Sequence, residues 1–498
     1  MIAMQRDHSL TLLAVCLAAL AMPLSFTGPA VALSAISLEL GSDTVGLNWI
    51  VNAFMLTFGS ALMAAGTLAD RYGRKRLFLC GVLLFALSSF GLAAAPTLAV
   101  LDCLRASQGL GAAFALASGM AALAQVFDGK ARLRAFSMIG TAFGVGLAFG
   151  PLLSGLLIRQ CGWRAFFVAA GLLMLVALAA GLRYMRESRD PDANQLDWRG
   201  AVAFTATLTT LTWAVLRVPE LGWNHPLVLA LLLTVLLLLA GFIAIELRSA
   251  RPMLDLSLFR YPRFIGVQFL AAAPAYGFVV LLVLLPVRLI GVEGHSELET
   301  GRLMLGLSAP MLVVPALAAW LARWWSAGAL SGLGLLIAAA GLVWLAQLPF
   351  GVLGTELLWP LLTIGVGIGL PWGLMDGMAV SVVPRERAGM AAGIFSTTRV
   401  AGEGIALAIV GAVLATLIQH GLAHSDMPSA ASRLALGQLA AAAKLAGMPK
   451  DQLAQIYVHA FQNLLLMLSG VTVLTALMVF SFLRAPAVEA TESERLAA

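Results

Sequence analysis

Long apolar runs alternate with short charged segments along almost the whole chain. The segment 66–77, GTLADRYGRKRL, contains five charges, whereas residues 45–69 and 77–101 on either side of those charges contain none. A bilayer core about 30 Å thick is crossed by about 20 apolar helical residues. The pattern therefore predicts two transmembrane helices joined by a basic turn, and basic turns are typical of the cytoplasmic side.

The same alternation occurs fourteen times, and each apolar run predicts one transmembrane helix. The predicted spans are 10–36, 45–69, 77–95, 98–126, 135–158, 165–182, 200–216, 225–245, 264–287, 303–322, 326–346, 357–381, 388–418 and 457–483. An even number of spans places both chain ends on one side of the membrane. With both ends in the cytoplasm, 21 of the 31 Lys and Arg residues lie in cytoplasmic segments. The positive-inside rule therefore predicts that orientation, and we expect a multi-pass protein of a bacterial inner membrane.

Composition excludes an ordinary soluble protein. The 498 residues are 60% hydrophobic and only 11% charged, and the mean hydropathy is +0.93, whereas soluble domains contain about 25% charged residues. The net charge of +6 follows from the basic cytoplasmic segments, and no basic run is interleaved with aromatic residues as a nucleic-acid surface requires. The partners predicted at this level are the lipid bilayer and no nucleic acid.

Motifs of enzymes and metal proteins are missing from the sequence. The four cysteines have no paired spacing, which favours neither a disulfide framework nor a metal site. No HExxH, GxSxG or P-loop pattern occurs in a usable context. The N-terminal apolar run continues past residue 31, so it is interpreted as the first span and not as a cleaved signal peptide. We predict no enzymatic activity, no cofactor and no metal.

Two polar segments interrupt the series of spans. Residues 183–199 and 246–263 lie on either side of an isolated pair of spans, and both are predicted to be cytoplasmic linkers. Without this pair, six spans precede and six follow. The longest external loop, 419–456, is Ala-rich and predicted to be partly helical. The predicted units are an N-terminal six-helix bundle at 1–182, linkers and a central transmembrane hairpin at 183–263, a C-terminal six-helix bundle at 264–484 and a cytoplasmic tail at 485–498.

Five charged residues lie inside the predicted spans, namely Asp102, Arg105, Asp376, Arg399 and Glu403. Each costs about 2.5–3.5 kcal/mol at a helix centre, so such residues usually pair or line a water-filled cavity. The spacing puts Asp102 with Arg105, and Arg399 with Glu403, on one helix face each. Two interpretations remain open, silent ion pairs between packed helices and a proton- or ion-carrying site in a central cavity.

Depth in the membrane ranks the three acids. Glu403 lies about fifteen residues from the cytoplasmic end of its span, which is well inside the bilayer at 1.5 Å per residue. Asp376 follows Pro371, and Pro371 with its flanking glycines is predicted to break the helix, as happens near transporter sites. Asp102 lies close to the external end of its span. Glu403 is the first candidate for proton coupling and Asp376 is the second.

Three motifs resemble those of the major facilitator superfamily. GTLADRYGRKRL resembles the superfamily's cytoplasmic loop motif, whose matching residues are Gly66, Leu68, Ala69, Asp70, Arg71, Gly73, Arg74 and Lys75. LDCLRASQGLGAA in the fourth span resembles a second motif, matched at Arg105, Gln108, Gly109, Gly111, Ala112 and Ala113. GVGLAFGPLLSG in the fifth span is similar to the antiporter motif, matched at Gly146, Gly150, Pro151 and Gly155. Each motif lies on the span where the superfamily has it.

The fourteen spans and the central hairpin are similar to the drug/proton antiporter branch of EmrB/QacA type. This resemblance covers nearly the whole chain and implies an all-α membrane fold, in which two six-helix bundles rock around a central cavity. It also implies that Asp70 and its basic neighbours form charge pairs that close the cytoplasmic side, whereas a role as a positive-inside anchor alone is the other interpretation. The branch has an acid in its first span, but this chain has Ser25 there, and Ser34 in place of the following proline. Proton coupling is therefore assigned to Glu403 or Asp376.

The predicted function is proton-driven export of amphipathic small molecules by a secondary active transporter. Five large side chains are candidates for the substrate cavity, namely Trp49, Phe54, Trp372, Met375 and Phe395. The nearest alternative is a dedicated exporter of one metabolite, such as a siderophore or an antibiotic. An integral membrane enzyme and a non-transporting sensor are the alternatives from other classes. The resemblance implies protons and amphiphiles as partners and a single chain as the transport unit, and leaves open a periplasmic adaptor.

Overall fold

The computed structural model describes residues 2–41, 44–127, 129–189, 197–249, 252, 254, 256–349, 351, 355–383, 388–422 and 428–483. Within these ranges the chain is almost entirely helical and contains no strand. Fourteen helical segments are long and apolar enough to cross a membrane. The number of spans predicted from the sequence is therefore confirmed.

The first six helices form the N-terminal bundle. They are α1 (Ile2–Leu40), α2 (Thr44–Tyr72), α3 (Arg74–Ala93), α4 (Leu98–Val126), α5 (Gly129–Cys161) and α6 (Trp163–Tyr184). The connection between α2 and α3 is a single residue, Gly73, which has a φ of 115°. A left-handed conformation of this kind favours glycine. Because this turn is so short, the two helices are antiparallel neighbours.

Helices α7 (Trp198–Leu221) and α8 (Pro226–Arg248) form the inserted hairpin. The Asp197 side chain accepts from the Gly200 N–H at 2.9 Å and caps the start of α7. Helix α7 packs against α8 and also against α2 and α15 of the two bundles. Helix α8 is mostly exposed and is rich in leucine, which is typical of a helix that faces lipid.

The remaining helices belong to the C-terminal bundle. They are α9 (Pro262–Pro274), α10 (Val280–Pro286), α11 (Glu297–Ser308), α12 (Val314–Leu321), α13 (Ala327–Gln347), α14 (Thr355–Ser381), α15 (Ala388–Gly421), α16 (Pro428–Ala435), α17 (Leu439–Ala446) and α18 (Lys450–Leu483). The short helices α16 and α17 lie in the predicted external loop, which was expected to be partly helical. A 3-10 turn at Leu256–Arg260 precedes α9, and another at Ala309–Leu312 joins α11 to α12.

The first span of the C-terminal bundle differs from its prediction. Sequence reasoning ended it at residue 287, but the helix continues from Pro262 to Val292. Two π-helical turns, Ala275–Val279 and Val287–Val292, follow Pro274 and Pro286 and extend the helix. Proline removes an amide hydrogen from the helical ladder, and local π geometry is one way to satisfy the freed carbonyls. Arg288 therefore lies inside a span and not outside it.

The predicted break at Pro371 is wrong. Helix α14 is continuous across both Pro360 and Pro371. A Cβ atom placed on Gly334 of α13 would lie 2.7 Å from Cδ of Pro371, so α13 packs directly on the proline ring. Transmembrane helices tolerate proline where neighbouring helices satisfy the backbone. The irregular spans of this bundle are the first one and the one formed by α11 and α12, whereas α14 is regular.

The bundles meet along three helix pairs, which are α2 with α15, α5 with α11, and α1 with α10. We call the side on which α1 begins and α18 ends the terminal face. The contacts of α5 and α11 extend from the middle of the two spans, where Ser308 donates to the Ala148 carbonyl at 2.9 Å, toward the opposite face, where Gly155 lies against the backbone of Glu297. Toward the terminal face α5 reaches only the turn after α11, where Gly144 is close to Met311. The bundles are therefore held together more closely at the opposite face along this pair.

The predicted tail at 485–498 and residues 190–196 of the first predicted linker lie outside the described residues.

Candidate functional site

Arg399 of α15 forms an ion pair with Asp376 of α14. Its Nη1 lies 3.3 Å from Oδ1 of Asp376. The Arg399 side chain is 11% exposed and the Asp376 side chain 51%, so the acid is open to solvent and the base is mostly covered. The i,i+4 spacing suggested Glu403 as the partner of Arg399, and this expectation is wrong. The pair joins two helices of the C-terminal bundle instead of two turns of one helix.

Three aromatic rings surround the Arg399 guanidinium. Its Cζ lies 5.5 Å from the ring centre of Trp372, 5.6 Å from Phe395 and 5.7 Å from Phe143. These distances are within the range of cation–π attraction. Phe143 belongs to α5 of the other bundle, and its ring stacks on Trp372 with centres 6.4 Å apart. The site is therefore built from both bundles.

Glu403 lies one helical turn beyond Arg399 on the same face of α15. The residue is 2% exposed, and its Oε1 has no hydrogen-bond partner among the described residues. Burying an ionised carboxylate without a partner is costly. The Arg399 charge acts on Glu403 through space, but among the described residues Arg399 forms its ion pair with Asp376 and not with Glu403. Glu403 is thus a buried acid next to a solvent-exposed ion pair.

The structure brings together some of the predicted cavity residues and separates others. Trp372 and Phe395 contact Arg399, and Met375 is fully buried in the same helix as Trp372. Phe54 is fully buried inside the N-terminal bundle, where its ring lies 4.6 Å from Cζ of Arg105. Trp49 packs on an apolar cluster of α7, α8 and α15. These last two side chains lie away from Arg399.

Arg105 is held entirely within the N-terminal bundle. It is fully buried, and its Nε donates to the Ile50 carbonyl at 2.6 Å. Its Nη1 donates to Oε1 of Gln108 at 2.5 Å, and Gln108 donates in turn to Oγ of Ser89 at 2.8 Å. Asp102 is near enough for its charge to act on Arg105. This network connects α2, α3 and α4 and fixes their packing.

Glycines of the second motif make these close contacts possible. A Cβ on Gly109 would collide with Oγ1 of Thr57 and the Phe54 carbonyl, and a Cβ on Gly111 would lie 2.7 Å from the Phe85 amide. Thr57 also donates to the Ala106 carbonyl at 2.8 Å. The motif residues Ala112 and Ala113 are fully buried. The second motif therefore describes how α4 packs on α2 and α3.

The side chains of the loop motif, residues 66–77, contact residues of their own N-terminal bundle. Arg74 contacts Asp70 through Nε at 2.9 Å and Nη2 at 2.8 Å, and its Nη1 donates to Gln125 of α4 at 2.5 Å. The Lys75 Nζ donates to the Leu182 carbonyl at the end of α6. Arg71 lies over the ring of Tyr72. Gly66 has open space around its Cα. Within the described ranges, no ion pair of residues 66–77 reaches the C-terminal bundle.

Glu187 follows α6 and caps the start of α3, a contact that the sequence did not indicate. Its Oε1 accepts from the Lys75 N–H at 3.1 Å, and its Oε2 accepts from the Arg76 N–H at 3.2 Å. The first amides of a helix have no partner in the helix, and a carboxylate there is favourable. A Cβ on Gly73 would lie 2.8 Å from the Glu187 carboxyl carbon. The second glycine of the loop motif thus makes room for this cap.

The antiporter motif lies between α1 and α11. Gly146 packs on the Leu20 carbonyl, and Gly150 packs on the Thr27 hydroxyl. At the far end of α5, Gly155 lies against the Glu297 backbone of α11. Pro151 is buried within α5 and its carbonyl lies beside Gly301 of α11. The motif allows α5 to pack closely on its own bundle and on the other one.

Ser25 occupies the position at which the resembled branch has an acid. It is fully buried, and its Oγ has no hydrogen-bond partner among the described side chains and backbone. Ser34 is half-buried farther along α1. A hydroxyl brings no charge to this position.

A second ion pair was missed because the predicted span ended too early. Arg288 Nε lies 2.7 Å from Oε1 of Glu293, and both side chains are 4% exposed. His295 Nε2 lies 3.7 Å from the same carboxylate, and Arg288 also lies 5.1 Å from the ring centre of Phe461. The hydropathy pattern continues across Pro286 to residue 292, and this was the signal that could have revealed Arg288 as a span residue.

The described residues contain no group of three or more His, Cys, Asp and Glu side chains that could hold a metal ion.

Comparison with known proteins gives a consistent result. The profile of the Major Facilitator Superfamily matches residues 13–407. The Multidrug resistance protein Stp of Mycobacterium tuberculosis (strain CDC 1551 / Oshkosh) is 34% identical over 423 residues, which cover 84% of this chain and 78% of that protein. The Tetracenomycin C resistance and export protein of Streptomyces glaucescens is 29% identical, over 82% of this chain and 76% of that protein.

Solved structures show the same fold. The crystal structure of a bacterial homolog to the human lysosomal transporter Spinster, in an inward-facing and occupied conformation, aligns with a TM-score of 0.67. It covers 96% of this chain and 97% of that chain at 17% sequence identity.

Proposed function

Because this chain belongs to the major facilitator superfamily, we propose that it exports amphipathic small molecules in exchange for protons. The chain is a multi-pass membrane transporter of small molecules; the direction, the driving ion and the substrate class are the proposal. One observation supports it most. A cationic aromatic site and a buried carboxyl, whose Oε1 has no hydrogen-bond partner among the described residues, lie within one turn of α15.

The aromatic site suits an amphipathic substrate. Trp372, Phe395 and Phe143 offer flat apolar surface around the Arg399 charge. Large aromatic side chains bind rings through area and offset stacking. The half-exposed Asp376 competes with any anionic group of the substrate for Arg399. This arrangement favours neutral or zwitterionic amphiphiles over permanent cations, in keeping with Ser25 in place of an acid.

The packing of the bundles and the charge bias support export as the direction of transport. The close α5–α11 contacts extend to the opposite face, and Asp376 on α14 is half exposed. The positive-inside rule predicts that the terminal face lies in the cytoplasm. A substrate then enters the Arg399 site from the cytoplasm, and rocking of the bundles exposes it on the other side.

Glu403 is proposed as the proton carrier. Its carboxyl is buried, its Oε1 has no hydrogen-bond partner within the described ranges, and it lies one turn from the Arg399 charge of the proposed substrate site. A proton bound from outside removes the cost of burying the charge, and substrate arrival at Arg399 changes the local field. A membrane potential contributes about 2.3 kcal/mol per charge per 100 mV to such a cycle. Asp376 is the second candidate, because its exposure allows exchange with solvent.

A dedicated exporter of one compound remains the second candidate function. The relative from Streptomyces glaucescens is named for tetracenomycin C, whereas Stp is named for multidrug resistance. Efflux of neutral, zwitterionic and cationic amphiphiles from the same proteoliposomes separates the two. Transport of several unrelated neutral or zwitterionic compounds supports the broad exporter, and transport of a single one supports the dedicated exporter.

The proton role is tested with Glu403→Gln in purified protein. We expect this variant to fold and to bind substrate, but to release no protons when substrate is added. The matched control is Glu246→Gln, because Glu246 is also 3% exposed but lies at the end of the hairpin helix α8. Binding is measured by tryptophan fluorescence and release with a pH dye in weak buffer.

Three results would contradict this assignment in different ways. Proton release retained by Glu403→Gln transfers the role to Asp376. An equal loss of proton release in Glu246→Gln indicates a general effect of removing buried acids. Substrate binding without proton release in the wild-type protein contradicts proton coupling itself.

A further inference from the structure

A second cavity lies away from the Arg399 site, at the seam where the inserted hairpin meets both bundles. It has about 650 Å³ of empty space, its mouth included. Its walls come from α1 and α2, from α7, and from α10 and α15, and α16 covers it. The residues around it include Leu33, Val51, Leu216, Val283, Leu407 and Leu436. Neither this cavity nor helix α16 is part of the proposed transport mechanism.

The lining is apolar apart from a few neutral polar groups. Among the described residues, none that lines the cavity is Asp, Glu, Lys or Arg. Asn48, Asn52 and Ser432 are its polar side chains. Binding pockets for small molecules are typically apolar with a few placed polar groups that orient the ligand. A charged ligand would have no counter-charge here.

Asn52 provides one such polar group. The residue is 3% exposed, and its Nδ2 donates to the Asn48 carbonyl at 2.9 Å. This bond fixes the amide, while Oδ1 has no hydrogen-bond partner within the described part of the chain. An unpaired buried acceptor costs about 1–3 kcal/mol. A ligand with a hydrogen-bond donor would remove this cost.

The backbone of α7 provides a second acceptor on the opposite wall. Pro219 lies inside α7 and lines the cavity together with Val215, which is four residues earlier. Proline has no amide hydrogen, so it cannot bond the carbonyl of the residue four positions before it. The Val215 carbonyl therefore lacks its usual helical partner. Two residues that line the cavity, Asn52 and Val215, therefore each have an acceptor without its usual partner.

We infer that this cavity binds an alkyl chain with a neutral head group that donates hydrogen bonds. The apolar walls from α2, α7 and α15 contact the alkyl chain of the ligand, and Oδ1 of Asn52 accepts a hydrogen bond from its head group. Two sources share this chemistry, a membrane lipid and a transported amphiphile. The site is independent of the proton-coupling proposal, since it uses neither Arg399 nor Glu403.

The test uses a photoreactive probe on the full-length protein in lipid nanodiscs. The probe is octanol with a diazirine ring on its chain, and the reference probe is the same chain without the hydroxyl group. Labelled residues are identified by mass spectrometry of peptides. We expect labels on the α2, α7 and α15 residues that line the cavity, with the hydroxyl probe labelling about three- to tenfold more strongly because it gains a hydrogen bond.

A leucine at Gly411 tests the location. Gly411 lines the cavity, and a Cβ there meets no atom within 4 Å, so a leucine side chain fills the space without a collision at its first atom. We expect Gly411→Leu to lower cavity labelling about tenfold. The matched control is Gly402→Leu, because Gly402 lies on the same helix with equally open space but does not line the cavity.

A leucine at Asn52 tests the polar contact. Asn52→Leu keeps a side chain of similar size and removes the acceptor. We expect the hydroxyl probe to lose its advantage over the reference probe, while labelling by the reference probe is kept. A preference for the hydroxyl probe that survives in Asn52→Leu overturns the role of Asn52. Labels spread evenly over the lipid-facing α8, or equal losses in Gly411→Leu and Gly402→Leu, overturn the site.

The same nanodiscs show whether the bound alkyl chain belongs to a membrane lipid or to a transported amphiphile. Native mass spectrometry that finds a lipid bound to the wild type and to Gly402→Leu, but not to Gly411→Leu, identifies a lipid. Displacement of the probe by a compound that the protein transports identifies a substrate site. If neither holds, the probe is an adventitious additive only and the proposal fails.

Discussion

Two arginines inside the membrane, Arg105 and Arg399, have opposite surroundings. Arg105 is fully buried, and its partners on α2 and α4 all belong to the N-terminal bundle. Arg399 is partly open, pairs with an acid that is half exposed, and touches a ring from the other bundle. The same side chain thus occurs once in a closed network within one bundle and once at the boundary between two.

The difference shows how a membrane charge can be structural or functional. A rocking motion moves one bundle against the other and leaves contacts inside each bundle unchanged. We therefore expect the Arg105 contacts to persist through the cycle and the contact of Arg399 with Phe143 to change. A charge in the sequence pattern cannot by itself distinguish these cases, since both arginines lie in similar apolar helices. Their partners do.

The largest expected effect is on stability at the closed network. Arg105→Met leaves Oε1 of Gln108 without its donor and the Asp102 charge without its neighbour. Breaking a buried charged network costs about 3–5 kcal/mol. We expect a large drop in the thermal unfolding midpoint of the purified protein, measured by size-exclusion chromatography after heating.

The control for this prediction is the same substitution at Arg399. Arg399→Met should lower the unfolding midpoint much less, because Asp376 remains solvated when its partner is removed. Equal destabilisation by the two substitutions would contradict the distinction between a closed network and a boundary site.

The second expected effect is on transport at the boundary site. We expect Arg399→Met to reduce the rate of transport about tenfold or more, since the charge at the centre of the aromatic site is lost. The double variant Asp376→Asn with Arg399→Met separates a silent pair from a functional one. A silent pair would regain transport when both charges are removed. We expect the double variant to be nearly as stable as the wild type and to show no recovery of transport in proteoliposomes.

Much of the fold could be predicted from the sequence, because the length of an apolar run is a local property. The fourteen spans and the three motifs are read from consecutive residues, and the structure agrees on the number of spans. The limits of the spans were predicted less well, and at Pro286 a π-helical turn continues the helix beyond its predicted end. Local rules expect proline to end a helix, but in a membrane the freed carbonyls are satisfied by small changes of helical geometry.

The site was harder to predict because its contacts join distant segments. Spacing along α15 suggested Glu403 as the partner of Arg399, but the rotation of α14 brings Asp376 closer. Phe143 could not be identified, since nothing in the sequence of α5 indicates which of its side chains faces the other bundle. Glu403 was ranked first from its depth alone, and its role in proton coupling stays a prediction.

The smallest expected effect tests whether the boundary site depends on the other bundle. Phe143→Leu removes the ring that α5 contributes to Arg399 and Trp372 and keeps an apolar side chain of moderate size. A cation–π contact of this kind contributes about 0.5–1 kcal/mol, which corresponds to a two- to fivefold change. The matched variant is Phe395→Leu, whose ring lies at almost the same distance from Arg399 but on the same helix. Both should raise KM for a fluorescent amphiphile by this factor. Only Phe143→Leu should also change the maximal rate, because only its ring moves relative to Arg399 when the bundles rock. Equal effects of the two variants on the maximal rate would show that Arg399 acts within its own bundle, as Arg105 does.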